Sequence, residues 1–116
     1  MKYLFIVNKS PYGNEKPYNA LRLAMSLQKE QAAEVNMFFM GDGVVCAMKN
    51  QKTPDGYYNL ERMIKAVNRK NGGIYLCGTC MDARGMIDEI IVEGSKRSSM
   101  TELAELTEKA DKVLVF

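Results

Sequence analysis

The chain contains no histidine in 116 residues, and that absence excludes more than any other feature. No Ser-His-Asp triad, no Cys-His pair and no imidazole metal site can be assembled from its own side chains. A strong charge imbalance is also missing, since 16 Lys and Arg against 14 Asp and Glu leave a net +2. Without a basic excess, the electrostatic footprint of a dedicated nucleic-acid binder is lacking, and no direct nucleic-acid partner is expected. No apolar stretch approaches the roughly 18 residues of a membrane span, so no membrane partner is expected either. The apolar run Tyr3–Val7 is too short for the core of a signal peptide, and turn residues follow it at Asn8–Pro11. Neither a P-loop nor G-x-G-x-x-G occurs, which leaves nucleotide and flavin cofactors without support. A cytoplasmic chain with no cofactor is the resulting expectation.

What is present suffices for one core. The composition is 47% hydrophobic, and a chain of this length buries roughly two-thirds of its unfolded surface, enough to fold without disulfide staples. A single domain over residues 1–116 is expected. Three cysteines, Cys46, Cys77 and Cys80, are an odd number that suits free thiols in a reducing compartment better than a secreted disulfide framework. Any covalent chemistry has to be built on them.

Four short apolar runs read as strands: Tyr3–Val7, Val35–Met40, Ile74–Cys77 and Val113–Phe116. Each is nearly continuous, the pattern of strands buried on both faces. Ile90-Ile91-Val92 is a weaker candidate for a fifth strand. Helical spacing appears between the runs. Residues 18–30 carry Leu21, Ala24, Met25 and Gln28 on one face, widened by Leu23 and Leu27, with Pro17 suited to the first turn. Asn59 reads as the cap of a helix bearing Leu60, Met63, Ile64 and Val67, stopped by Asn71-Gly72-Gly73. Ser99-x-x-Glu102 opens a last helix with Met100, Leu103, Leu106 and Ala110 on its core face. A short helical turn is expected at Val44–Lys49, and Lys52–Gly56 reads as a turn. Strands alternating with helices predict an α/β fold, a three-layer α/β/α sandwich with a mostly parallel sheet.

In such sheets ligands sit at the carboxyl ends of the strands. That edge collects three loops, Asn8–Lys16, Gly41–Val45 and Cys77–Gly85. The last holds C-x-x-C at a strand end. A thiol there meets free backbone N–H groups and the positive end of a helix dipole, both of which favour the thiolate, and Arg84 is placed to add positive charge. The competing reading, cysteine as a small core hydrophobe, suits Cys46, which lies in the apolar stretch Val44–Met48. A zinc site needs four ligands, and one C-x-x-C with a distant third cysteine and no histidine falls short, so no metal is expected. Asp42, between Gly41 and Gly43, reads as the cap of the short helical turn, with a ligand-cradling loop as the other reading. The surplus of methionine (nine) and of tyrosine at Tyr12, Tyr18, Tyr57 and Tyr58 suits packing and a subunit interface.

Several ordered pieces resemble the DsrE/DsrF-like family, specifically its YchN-like branch. They are Asn8-x-Ser10-Pro11-Tyr12-Gly13, Asn19–Ala24, Phe39-Met40-Gly41-Asp42-Gly43-Val44, Gln51-Lys52 ahead of Gly56-Tyr57, Leu76-Cys77-x-Thr79-Cys80-x-Asp82-x-Arg84-Gly85, Leu103-Ala104 and Ala110–Leu114. The resemblance is collinear over essentially the whole chain. It implies a five-stranded parallel sheet between helices, assembled as a homo-oligomer of trimers or hexamers. It also implies a sulfur carrier that takes a sulfane sulfur as a cysteine persulfide from a donor protein and hands it to an acceptor protein. The family's acceptor cysteine ends the third strand, seven residues before an Arg-Gly pair, and Cys77 stands in that relation to Arg84-Gly85. Cys77, Cys80 and Arg84 are thus the expected catalytic residues, with Cys80 assisting or resolving. Two other readings stay open: an oligomeric ligand- or partner-binding module with structural cysteines, and a C-x-x-C dithiol oxidoreductase.

Overall fold

A computed structural model describes residues 1–116. Five strands form one sheet: β1 (Lys2–Val7), β2 (Glu34–Phe39), β3 (Gly73–Cys77), β4 (Ser95–Ser98) and β5 (Lys112–Val115). Their spatial order is β4-β3-β2-β1-β5 and every pairing is parallel, as the alternation of strands and helices predicts. Four helices connect them: α1 (Lys16–Gln31), α2 (Leu60–Arg69), α3 (Gly78–Ala83) and α4 (Met100–Lys109). A 3-10 helix, Gly41–Ala47, follows β2 in place of the helical turn expected at Val44–Lys49.

Strand periodicity sorts side chains between two faces. Phe5, Val7, Val35, Met37, Phe39, Ile74 and Leu76 point to one side and are buried beneath Ala20, Leu21, Ala24, Ile64 and Val67 of α1 and α2. The opposite side is thinner: Leu4 and Phe38 are covered by Leu103 of α4, with Ile6, Tyr75 and Cys77 at its margin. Val113 and Val115 pair with Leu4 and Ile6 on this second side and stay 40% and 66% exposed. The helix ends follow their sequence signals. Asn59 accepts from the Arg62 amide at the start of α2, and Ser99 accepts from the Glu102 amide at the start of α4. Asn71 takes the left-handed conformation (φ 63°) that ends the α2 segment, while Gly72 and Gly73 do not.

Four expectations are corrected. The fifth strand is Ser95–Ser98, not Ile90–Val92. Ile91 and Val92 are instead core plugs, and Ile91 makes only an isolated antiparallel bridge to Met48. A strand at the sheet edge is held by backbone bonds to one neighbour and can be wholly polar, as Ser-Lys-Arg-Ser is. β5 is likewise an edge strand rather than one buried on both faces. Met100, expected on the core face of α4, is 64% exposed because it sits on the first helical turn, beyond the sheet surface that Leu103 covers. Leu23 also faces outward on α1, so it does not widen the buried stripe.

Candidate functional site

The loops after β1, β2 and β3 meet at the carboxyl edge of the sheet, and close backbone packing holds them there. The 3-10 helix lies directly on the end of β1: a Cβ at Gly43 would collide with the carbonyl of Val7. This approach requires glycine and brings the Gly41-Asp42 turn over α3. Gly41 itself adopts φ 57°.

Cys77 is both the last residue of β3 and the cap of α3. Its Sγ accepts a hydrogen bond from the Cys80 amide at 3.3 Å and lies 3.3 Å from Thr79 Oγ1. Burial alone would resist ionisation, but the Cys80 thiol, the Thr79 hydroxyl and the Cys80 and Thr79 amides outweigh it, so the Cys77 pKa falls below the ordinary thiol value. Because α3 has only six residues, these direct donors rather than a long helix dipole carry the effect. Cys80 behaves oppositely. Its burial and its hydrogen bond to the Cys77 sulfur raise its pKa, against smaller lowering contributions from the Gly41 amide and Arg84. The Gly41 amide donates to Cys80 Sγ at 3.2 Å. One thiol is poised to ionise and its neighbour to keep its proton.

Arg84 brings its positive charge to Cys80. Its guanidinium donates to Asp42 Oδ1 at 2.7 and 3.2 Å and to the Cys80 carbonyl at 2.9 Å, and it adjoins Cys80 rather than Cys77. Asp42 correspondingly receives Arg84 and caps no helix: the residue before the 3-10 helix is Met40, without a side-chain cap bond. The pair ties the loop after β2 to α3, because two charged groups linked by two hydrogen bonds fix both position and orientation.

Sequence reasoning missed Arg97. It extends from β4 along the same edge, donating to the Gly78 carbonyl and Asp82 Oδ1 at 3.0 Å each and to Asp88 Oδ1 at 3.0 Å. Those two carboxylates raise its pKa and hold it charged. No apolar pattern marks β4, so nothing in the sequence places Arg97 beside Cys77. Between them lies a cavity of about 320 Å³ whose lining includes Phe38, Met40, Cys77, Arg97, Ser99 and Met100. Cys77 thus opens toward the α4 side of the sheet, whereas Cys80 is bound to the turn after β2.

Cys46 lies elsewhere. It is fully buried, its thiol donates to the Lys9 carbonyl at 3.4 Å, and burial pushes its pKa up to about 12. It belongs to the core, as its apolar neighbours predict. All three cysteines are free thiols. No group of three or more Cys, Asp or Glu side chains is placed to hold a metal ion, and no helix is long and apolar enough to cross a membrane.

The sequence model of the DsrE/DsrF-like family matches residues 1–116. Protein YchN of Escherichia coli (strain K12) is 35% identical over 116 residues, spanning 99% of this chain and 98% of its own. The crystal structure of the E. coli ychN protein superposes with a TM-score of 0.92 at 36% identity, covering 99% of this chain and 98% of that one. A protein TusC homolog of Aliivibrio fischeri is 25% identical over 118 residues, covering 97% of this chain and 96% of its own.

Proposed function

We propose, from the premise that the chain belongs to the DsrE/DsrF-like family, that it acts in sulfur relay as a persulfide carrier. Family membership and the similarity to a TusC homolog support the relay role. The observation that carries the finer assignment is the asymmetry of the thiol pair. Cys77, with a lowered pKa and an opening into a cavity, is the nucleophile, and Cys80, with a raised pKa and a bond to Cys77, is its partner.

The chemistry needs no histidine. The Cys77 thiolate attacks the outer sulfur of a donor persulfide, the donor's S–S bond breaks, and the donor thiolate leaves and takes up a proton. Cys77 then carries the sulfane sulfur. Transfer onward repeats the exchange: an acceptor thiolate attacks the outer sulfur and the Cys77 thiolate departs. If no acceptor arrives, the Cys80 thiolate attacks the inner sulfur, which releases hydrosulfide and leaves a Cys77–Cys80 disulfide. A dithiol reductant must then supply two electrons to restore the pair. Transfer conserves the redox state of the protein, whereas resolution oxidises it. Arg84, held by Asp42, tunes and positions Cys80 in this scheme.

The protein works as a homo-oligomer, with donor and acceptor proteins as its other partners. The exposed Val113, Val115 and Met100 and the thin cover of that sheet side support assembly, because a hydrophobic edge strand left bare invites pairing. The test is loading with a persulfide-forming desulfurase, followed by intact mass spectrometry. Wild type should gain the mass of one sulfur atom, reversibly by dithiothreitol, and Cys77→Ser should gain none. Cys80→Ser should load and hold the sulfur longer than wild type. Failure of wild type to load where a known carrier does would sink the assignment.

A further inference from the structure

The largest cavity in the molecule lies away from the thiols, between α1 and α2, and holds about 660 Å³. That volume is within the roughly 300–1,000 Å³ range of small-molecule sites. The two helices run side by side in the same direction: Tyr18, near the start of α1, stacks on Tyr58, just before α2, at 4.0 Å between ring centroids. At the other end Gln28 of α1 donates to the Val67 and Lys70 carbonyls, at 3.0 and 3.5 Å. The groove is therefore walled at both ends, by rings at one and by the Gln28 bridge at the other. A trough closed in this way suits a compact ligand and not a through-running helix.

Its walls combine two recognition elements. Tyr57 and Tyr58 stack at 4.6 Å and Tyr18 continues the stack, while Tyr57 remains 49% exposed and presents ring surface to the groove. Arg22 lies 5.3 Å from the centre of the Tyr18 ring, Arg62 comes from α2 and Lys70 directly follows it. Arg22, Arg62 and Lys70 make no salt bridge, whereas the two lining charges Lys29 and Glu30 offset each other at 4.0 Å. Three uncompensated cations thus surround an aromatic wall and a floor formed by Met25 and Met63. Two polar atoms of the same lining, Gln28 Oε1 and the Tyr58 hydroxyl oxygen, are buried without a hydrogen-bond partner. Buried polar atoms are almost always satisfied, so this wall is incomplete as it stands.

We propose that the α1–α2 groove is a binding site for a planar aromatic ligand bearing an anionic group, with the ring against the Tyr18–Tyr58–Tyr57 stack and the anion between Arg22 and Arg62. Rings stack on tyrosine faces with an offset geometry, and guanidinium groups bind oxyanions through paired donors. This site is separate from the sulfur chemistry, and Cys77 loading does not depend on it.

The test uses three probes on the full chain by titration calorimetry: 1-naphthyl phosphate, 1-naphthol and inorganic phosphate. The phosphate ester should bind about tenfold or more tightly than either fragment, since it alone engages both elements. The chain has no tryptophan, and three of its six tyrosines line the groove, so the near-ultraviolet circular dichroism should change on binding. Arg62→Gln, an exposed substitution that leaves the far-ultraviolet spectrum unchanged, should weaken the ester about fivefold or more and leave 1-naphthol unaffected. The proposal is overturned if 1-naphthol binds as well as its phosphate, if Arg62→Gln binds like wild type, or if the ester fails to bind at millimolar concentration.

Discussion

Raising the pH tests the placement of Cys46 in the core, because burial keeps its thiol protonated after an exposed thiol has ionised. The side chain is fully buried and its pKa is pushed up to about 12 from an ordinary 9.0, burial being the main cause. Below pH 9 both folded and unfolded chains hold this proton, and its contribution to stability is constant. Between pH 9 and 12 the unfolded chain gives the proton up while the folded chain keeps it. The unfolded state then binds fewer protons, so stability falls as pH rises. The slope is about 1.4 kcal/mol per pH unit. From pH 8 to pH 11 this one thiol removes about 2–3 kcal/mol, a large part of the 5–15 kcal/mol typical of a domain.

Urea unfolding of wild type and Cys46→Ala, followed by far-ultraviolet circular dichroism at half-unit pH steps, reads that loss. The alanine variant starts lower, since it gives up packing and the 3.4 Å bond to Lys9, but the prediction concerns slope, not level. Tyr12 and Tyr58 also have pKa values raised chiefly by burial; Tyr58 steepens the alkaline loss in both proteins alike, whereas Tyr12 is raised in part by Cys46 and changes with it. The difference between the two profiles reports Cys46 together with its smaller effect on Tyr12. Wild type should lose about 2–3 kcal/mol more than Cys46→Ala over that range. Parallel profiles would refute the reasoning and return Cys46 to candidacy as a reactive thiol.

Thr79→Val removes the hydroxyl 3.3 Å from Cys77 Sγ, so the pH midpoint of Cys77 alkylation should rise and alkylation at neutral pH should slow. Thr79→Ser should restore both, and an unchanged midpoint in the valine variant would remove Thr79 from the account. Asn59→Ala deletes a buried side chain that caps α2 at Arg62 N and donates to the Gln51 carbonyl, at 3.1 Å each. A loss of about 1–2 kcal/mol or more is expected by urea titration, and a change below roughly 0.5 kcal/mol would contradict it. Gly43→Ala drives a Cβ into the Val7 backbone, whereas Gly13 has open space around it. The first variant should lose at least about 2 kcal/mol and the Gly13→Ala control almost nothing; equal stabilities would count against the packing of the 3-10 helix on β1.

The parts of the fold that the sequence revealed are those whose physics leaves a mark on residue type. β1, β2 and β3 lie inside the sheet, so their continuous apolar runs were readable, and α2 and α4 carry capping side chains at the positions where the helices begin. β4 was invisible because an edge strand of Ser-Lys-Arg-Ser is specified by its backbone bonds to β3 and carries no apolar signature. Ile91 and Val92 misled for the converse reason: they are apolar because they fill the core beneath a loop. At the site, the strand-end rule placed Cys77 and Cys80 at the right edge. The partners of Arg84 and the position of Arg97 depend on contacts 42 and 19 residues away in the chain, at Asp42 and Gly78, which no local pattern encodes.

That placement of Arg84 alters how the thiol pair works on the relay reading. The Cys77 thiolate is favoured by neutral donors, one of which is the Cys80 thiol itself, so the two cannot readily carry negative charge together. While Cys77 is a thiolate, Cys80 is held protonated and cannot compete for the donor persulfide. Once Cys77 carries sulfur, the negative charge moves from its inner to its outer sulfur, which weakens the hydrogen bond and the repulsion that add to burial in raising the Cys80 pKa. The Gly41 amide at 3.2 Å and Arg84, which favour the Cys80 thiolate, then weigh more against burial. On this reading loading makes Cys80 easier to ionise, so resolution follows loading. Substituting Asp42→Asn, which weakens the hold on Arg84 and the turn carrying Gly41, should therefore slow release of hydrosulfide from loaded protein while leaving the loading rate of Cys77 unchanged. A variant that loads slowly but releases normally would show that the Asp42–Arg84 pair serves Cys77 instead, and the order of events argued here would be wrong.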